Sequence, residues 1–333
     1  MSIHVLKPGL LTSVQDSGRH GHQHLGMPVC GAMDVRAHRL ANLLAGNHTD
    51  EATLEITLNG PALRFDQPAC IAICGAQLKP TLNGQPLPND RPIVVREGDT
   101  LQFQGRLTGL RAYLAFYGGL AIEPVMNSRS TYLRGSLGGF QGRALKKGDT
   151  LALQRYLNTR RLPALEQALW NTRVYLPAAL GLQARTRIRA MTTAHTPLFT
   201  DEAVAAFFEQ PYEITAQSER MGYRLQGPTL RTRQARQYPS EVTGFGTVQV
   251  PPDGNPIVLM ADRQTTGGYP KIAHIAAVDL PHIAQRMPGE SIEFTPVSVS
   301  QARELDARRE QAFQAVSDAL APLRTALANA AAS

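Results

Sequence analysis

Residues 287–294 read MPGESIEF. Proline and glycine set a turn, an acid follows the glycine, and Ser291, Ile292, Glu293 and Phe294 then alternate polar with apolar. Alternation with a period of two marks a strand with one buried face. The same grammar returns in REGDTLQF (96–103) and KKGDTLAL (146–153), each a Gly-acid turn feeding an alternating strand. Three such units favour an all-β architecture of related sheets over a parallel α/β one, which would need a helix between successive strands.

Working outward, most of the chain punctuates as short strands. GLRAYLAFYGGL (109–120) alternates into a Gly-Gly stop, and YEITAQSERMGYRLQGP (212–228) starts as a strand and closes in Gly-Pro. TVQVPPDGNPIVLM (247–260) reads as a hairpin, two β-branched arms around turn residues. Helices are few. MDVRAHRLANLLAGN (33–47) places Asp34 as N-cap before an apolar face of Ala37, Leu40, Ala41 and Leu44. Shorter helices are predicted over 200–210 and 278–289, and an amphipathic tail from Ser300 is broken near Pro322. Alternation lapses at YLNTRRLPALEQALW (156–170). The expectation is a mainly β protein of two β-barrel-like lobes, residues 1–160 and 170–299, with a helical tail over 300–333.

A chain of 333 residues can bury a sizeable core, and 28 glycines with 23 prolines suit a strand-and-turn fold. The N-terminus lacks the basic, apolar and small-residue segments of a signal peptide, and no run of about 18 apolar residues occurs, so a cytoplasmic protein without a membrane partner is expected. Cys70 and Cys74, in PACIAICGA, read as reduced core thiols. The net charge of +7 gathers arginines in ARTRIRA (184–190) and LRTRQARQ (230–237). Neither cluster is interleaved with aromatics, and no nucleic-acid-binding motif accompanies them, so anionic substrate groups or an acidic protein partner are expected in place of nucleic acid.

The chemistry concentrates in VLMADRQTTGGYPKIA (258–273), a polar stretch between two apolar ones. Gly267 and Gly268 are expected to adopt dihedrals closed to other residues, and Thr265 and Thr266 to join them in an anion-accepting backbone nest. Lys271 supplies a mobile point charge, Arg263 a planar fork for carboxylate or phosphate, and Asp262, Gln264 and Tyr269 complete the set. This is no Walker A loop, because Tyr269-Pro270 separates glycines from lysine. Ser218 and Arg220 in QSERMGYRLQGP (217–228) form a second candidate group. Asp16 and Arg19 in LTSVQDSGRHGHQHLG (11–26) form a third. There His20, His22 and His24 would share a face in a strand, but no acid or cysteine is spaced to complete a metal site, and none is expected. SEVTGFGTVQVPPDGNP (240–256) adds Gln249, which a hairpin sets across from the 258–263 arm, and Glu241, a second carboxylate able to act as a base with Asp262.

These blocks resemble the family of the 5-oxoprolinase C subunit, the allophanate hydrolase subunit 2-like proteins and the carboxyltransferase region of urea carboxylase. GLLTSVQDSGR, GMPVCGAMDVRAHRLANLLAGN, DEATLEITLNGP, YGGLAIEPVMNSRSTYLRGSLGGFQGRALKKGD, SERMGYRLQGP and VQVPPDGNPIVLMADRQTTGGYPKIA carry the resemblance, in the family's order, over residues 5–300. It implies that at least one lobe is cyclophilin-like, with a B-type subunit as direct partner and an A-type subunit besides. The complex would open 5-oxo-L-proline to L-glutamate, cleaving ATP held by the complex with Mg. Phosphorylating the lactam oxygen makes it a leaving group, a step that needs positive charge around developing anions. Lys271 and Arg263 could supply that charge, and Asp262 could orient water or the lactam N–H. Two alternatives are a carboxyltransferase half of a biotin-dependent urea or amide carboxylase, its biotin on a separate carrier, and a regulatory partner of a kinase-inhibitor-like B subunit.

Overall fold

A computed structural model describes residues 2–172, 174–234 and 237–331. The chain divides into two compact units. Unit 1 takes the described residues of 1–19, 34–180 and 311–333, and unit 2 takes 20–33 and 181–310.

The three Gly-acid turns fold alike. Gly98, Gly148 and Gly289 sit at φ +85°, +90° and +86°, a region that L side chains rarely enter. Each glycine N–H donates to a strand carbonyl, of Phe65, Val5 and Ile214 respectively, at 2.8 Å. That same strand residue donates its N–H back to the carbonyl of the acid: Asp99 (2.9 Å), Asp149 (2.9 Å) and Glu290 (3.0 Å). The acid's carboxylate then accepts the N–H three residues upstream, of Arg96, Lys146 and Met287. Local chemistry therefore writes the same turn three times, launching the strands Thr100–Phe103, Thr150–Ala152 and Ser291–Pro296.

Unit 1 is two antiparallel sheets around one core. A six-stranded sheet contributes Ile3, Val5, Leu63 and Phe65; a five-stranded sheet contributes Leu54, Ile56, Ile71, Ile73, Leu114 and Phe116. The opposite face of the second sheet mixes polar Glu55 and Tyr113 with Cys70, Ala72 and Cys74, and helix Val35–Leu44 covers it. Glu55 there accepts the Tyr113 hydroxyl at 2.7 Å, and Tyr113 in turn accepts the Asp34 N–H at 2.7 Å. Asp34 caps its helix by accepting the Ala37 N–H. Cys70 and Cys74 are free buried thiols, and burial pushes Cys70 up to about 12.

Unit 2 is a closed seven-stranded barrel. Around it run Arg187–Thr192, Lys271–Ile275, Thr247–Gln249, Ile257–Leu259, Gly222–Gln226, Tyr212–Ile214 and Ser291–Pro296, and the last closes in parallel on the first through Ile188↔Phe294. The 247–260 hairpin forms in register Val248↔Val258. Helix Asp201–Glu209, capped by Thr200, stacks Phe207 on Phe294 with ring centroids 4.4 Å apart. The tail is two helices, Val299–Ala319 and Ala321–Ala330, divided at Leu320 just ahead of Pro322. Its first part belongs to unit 2 and its remainder, from Gln311, to unit 1. Among the described residues no helix is long and apolar enough to cross a membrane.

Candidate functional site

The polar stretch 262–271 leaves the barrel at Leu259 and returns at Lys271. Between these points Thr266–Gly267 pairs antiparallel with Glu241–Val242, making a two-stranded flap. The Thr243 N–H and hydroxyl fasten its base to the carbonyls of Thr265 and Gln264.

The flap's glycines correct an expectation. Gly267 and Gly268 are absent from the positive-φ residues, so no anion-accepting nest forms there. Crowding, not dihedral freedom, is what glycine answers here: a Cβ at 267 would meet Gln249 Nε2 at 2.6 Å, and one at 268 the Tyr238 carbonyl at 3.0 Å. Gln249 is 1% exposed, sits opposite Ile257, and accepts from Gln264 Nε2 at 3.3 Å. Thr266 is exposed, and Thr265 is half-buried.

Two acid–base pairs flank the flap. Lys271 is not the mobile charge expected: its Nζ donates to Glu241 Oε2 at 2.7 Å and to the Val242 carbonyl at 3.0 Å. That ammonium holds the Glu241 carboxyl below its ordinary value. His195, for which the sequence offered no signal, joins them. Its Nε2 lies 3.5 Å from Glu241 Oε2, while its Nδ1 accepts the Lys271 backbone N–H at 3.3 Å. Because Nδ1 is an acceptor, neutral His195 carries its proton on Nε2, pointing at Glu241. No motif in TTAHTP marks this histidine; only the register of Arg187–Thr192 beside Lys271–Ile275 brings it there.

The second pair is buried. Arg220 donates Nε to Asp262 Oδ2 at 2.9 Å, Nη2 to Oδ1 at 2.8 Å, and Nη2 again to the Gly31 carbonyl at 2.7 Å. Their side chains are 6% and 7% exposed. Both Asp262 oxygens are thus occupied, which corrects the expectation of a carboxylate free to act as base. Ser218 closes the adjoining turn, accepting the Arg224 N–H at 3.0 Å.

Arg263 is 9% exposed and stands over the Phe245 ring at 5.7 Å. Burial lowers its pKa; burial, and the charge of Arg263 after it, lower that of His274. His274 Nδ1 meets Thr247 Oγ1 at 3.3 Å. Beside the flap opens a cavity of about 860 Å³ lined by Tyr238, Tyr269, Pro270, Gly268, Val250 and Arg231. Tyr269, 45% exposed, offers it an aromatic face.

Asp16 and Arg19 belong to unit 1 and hold its fold. Asp16 accepts from the Gly18 and Arg129 N–H groups and from the Ser128 and Ser130 hydroxyls. Arg19, 0% exposed, donates to the carbonyls of Val125 and Ser130. His22 and His24 lie around a 3-10 turn, Gln23–Leu25, and not on a strand. Among the described residues no group of three or more His, Cys, Asp or Glu is placed to hold a metal. Of the two arginine clusters, Ala235 and Arg236 lie outside the described residues.

A family model described as carboxyltransferase domain, subdomain A and B, matches residues 25–296. The chain belongs to the carboxyltransferase-domain family. Within it, the chain is 38% identical to the 5-oxoprolinase C subunit of Escherichia coli K12, covering 92% of this chain and 94% of that one. It is 33% identical to urea amidolyase of Lachancea kluyveri over 94% of this chain but 18% of the relative. The crystal structure of the K. lactis urea amidolyase superposes with a TM-score of 0.84 at 30% identity, covering 95% of this chain and 20% of that one. This carboxyltransferase-domain chain therefore corresponds to most of one relative and to about a fifth of the other.

Proposed function

We propose that the chain is the C-type subunit of an ATP-dependent 5-oxoprolinase, acting with B- and A-type subunits in the cytoplasm to hydrolyse 5-oxo-L-proline to L-glutamate. The observation that carries this reading is its 38% identity to a protein named as the C subunit of 5-oxoprolinase, across 94% of that protein's length. In this reading the Lys271–Glu241–His195 group faces the reacting atoms. Glu241, held ionised by Lys271 and 45% exposed on its side chain, can take a proton from water, and His195 aims it. Arg220–Asp262 fixes the start of the polar stretch that runs through the flap to Lys271.

ATP fits this flap poorly. A triphosphate needs a nest of backbone N–H groups and a lysine free to reach its phosphates, whereas here the glycines form no nest and Lys271 is engaged by Glu241. ATP and Mg are accordingly assigned to the rest of the complex, and no step is derived through them. The test is co-expression with the neighbouring B- and A-type subunits and an assay of glutamate and phosphate released on adding 5-oxoproline. Activity that disappears when this chain is omitted supports the reading; an assembled but inactive complex overturns it.

The TM-score of 0.84 to urea amidolyase favours a second reading, carboxyl transfer from a biotin carried on another chain to an amide nitrogen. A biotinylated partner that copurifies with the chain would support it.

A further inference from the structure

Three arginines of unit 2 stand close to the barrel wall, and two are committed in the same way. Arg189 uses Nε and Nη2 on the two oxygens of Asp279, at 2.9 and 2.6 Å. Arg220 uses Nε and Nη2 on those of Asp262, at 2.9 and 2.8 Å. This edge of a guanidinium presents two parallel N–H groups at the spacing of a carboxylate's oxygens.

Arg263 is nearly as buried as Arg220, yet no carboxylate pairs with its matching edge. Nε is buried without a hydrogen-bond partner, and the side chain's bond from Nη1 to the Met260 carbonyl is a long 3.4 Å. Among the described residues no carboxylate lies within ion-pair distance of it. A desolvated guanidinium without a counter-ion is costly, and a protein keeps one where something else completes it.

We infer that Arg263 is the docking point for a planar monocarboxylate, gripped through Nε and Nη2 as Arg220 grips Asp262. Charge counting selects this class over phosphate. Lys271 is balanced by Glu241, Arg220 by Asp262 and Arg189 by Asp279, while burial and Arg263 itself disfavour a charge on His274. One positive charge is left over. A carboxylate neutralises it, and a phosphate dianion leaves an uncompensated negative charge in a low-dielectric site. Phe245 covers one face of the guanidinium, leaving its plane to be read edge-on. Resting on the function proposed above, the inference makes the ligand the carboxylate of 5-oxo-L-proline, with the lactam ring carried away from Arg263.

The test is calorimetric titration of the full chain, alone and with co-expressed partner subunits, using 5-oxo-L-proline, its neutral carboxamide, acetate and inorganic phosphate. 5-Oxoproline is expected to bind and acetate to compete with it, while the carboxamide binds at least about tenfold more weakly and phosphate does not compete. Arg263→Met should remove the difference between acid and amide, and Arg263→Lys, which keeps the charge but not the fork, should restore only part of it. Should the methionine variant fail to fold, the wild-type Arg263 Nε–H resonance, shifting with 5-oxoproline and not with its amide, decides the same question. Equal binding of acid and amide, competition by phosphate, or no carboxylate binding to either preparation would overturn the inference. Carboxylate binding without glutamate release would leave the Arg263 site standing and remove the 5-oxoprolinase reading instead.

Discussion

Arg220–Asp262 and Lys271–Glu241 are acid–base pairs at opposite ends of one polar stretch, and burial gives them different work. Asp262 is 7% exposed on its side chain and Glu241 45%. The first pair is a doubly hydrogen-bonded fork with Gly31 as a third acceptor, so every strong group is used inside the protein. The second is a single lysine contact, shared with a histidine and open to water. A buried pair fixes geometry, because breaking it strands a charge away from solvent. An exposed pair contributes little to folding and stays available to react. Position along the sequence does not separate the two; depth does.

The difference can be broken at its strongest point first. Asp262→Ala leaves Arg220 buried without its carboxylate, and urea unfolding of unit 2 should lose about 3–5 kcal/mol. A loss within the range of ordinary surface substitutions would show that the pair is not structural. The double variant Arg220→Met, Asp262→Leu removes both charges at once and should recover most of that stability. If it is as unstable as Asp262→Ala alone, something other than the stranded guanidinium is responsible.

At the exposed pair the expected effect is smaller and depends on pH. The folded-state pKa of Glu241 lies below its ordinary 4.5, so its contribution is present above that value and is lost as pH falls through the lowered one. The melting temperatures of the wild type and Glu241→Gln should therefore differ slightly near neutral pH and converge in acid. A gap that widens on acidification would mean that the sign, and the Lys271 contact behind it, is wrong.

What the sequence disclosed follows the range of the interactions. The Gly-acid turns at 98, 148 and 289 were legible because glycine, acid and the N–H that the acid accepts lie within a few residues of one another. The 247–260 hairpin was legible for the same reason. Arg220 and Asp262 are 42 positions apart, and neither neighbourhood names the other, so Asp262 read as a free carboxylate. Gly267 misled for another reason. Glycine answers both to positive φ and to crowding, and only the fold shows that Gln249 Nε2 occupies the space. His195 carried no local signal at all, since its role comes from strand register. The placing of residues 20–33 in unit 2, apart from the chain on either side of them, likewise depends on long-range contacts that no local pattern encodes.

The contrast between a structural and a working pair meets its most direct test at Lys271. If the chain is the proposed 5-oxoprolinase subunit, Lys271→Ala should fold, assemble with B- and A-type subunits, and turn over 5-oxoproline at least about tenfold more slowly than wild type, the cost of losing the ammonium that holds and positions the Glu241 carboxylate. A folded, assembled Lys271→Ala complex with turnover within about tenfold of wild type would contradict it, and would place the chemistry away from the flap.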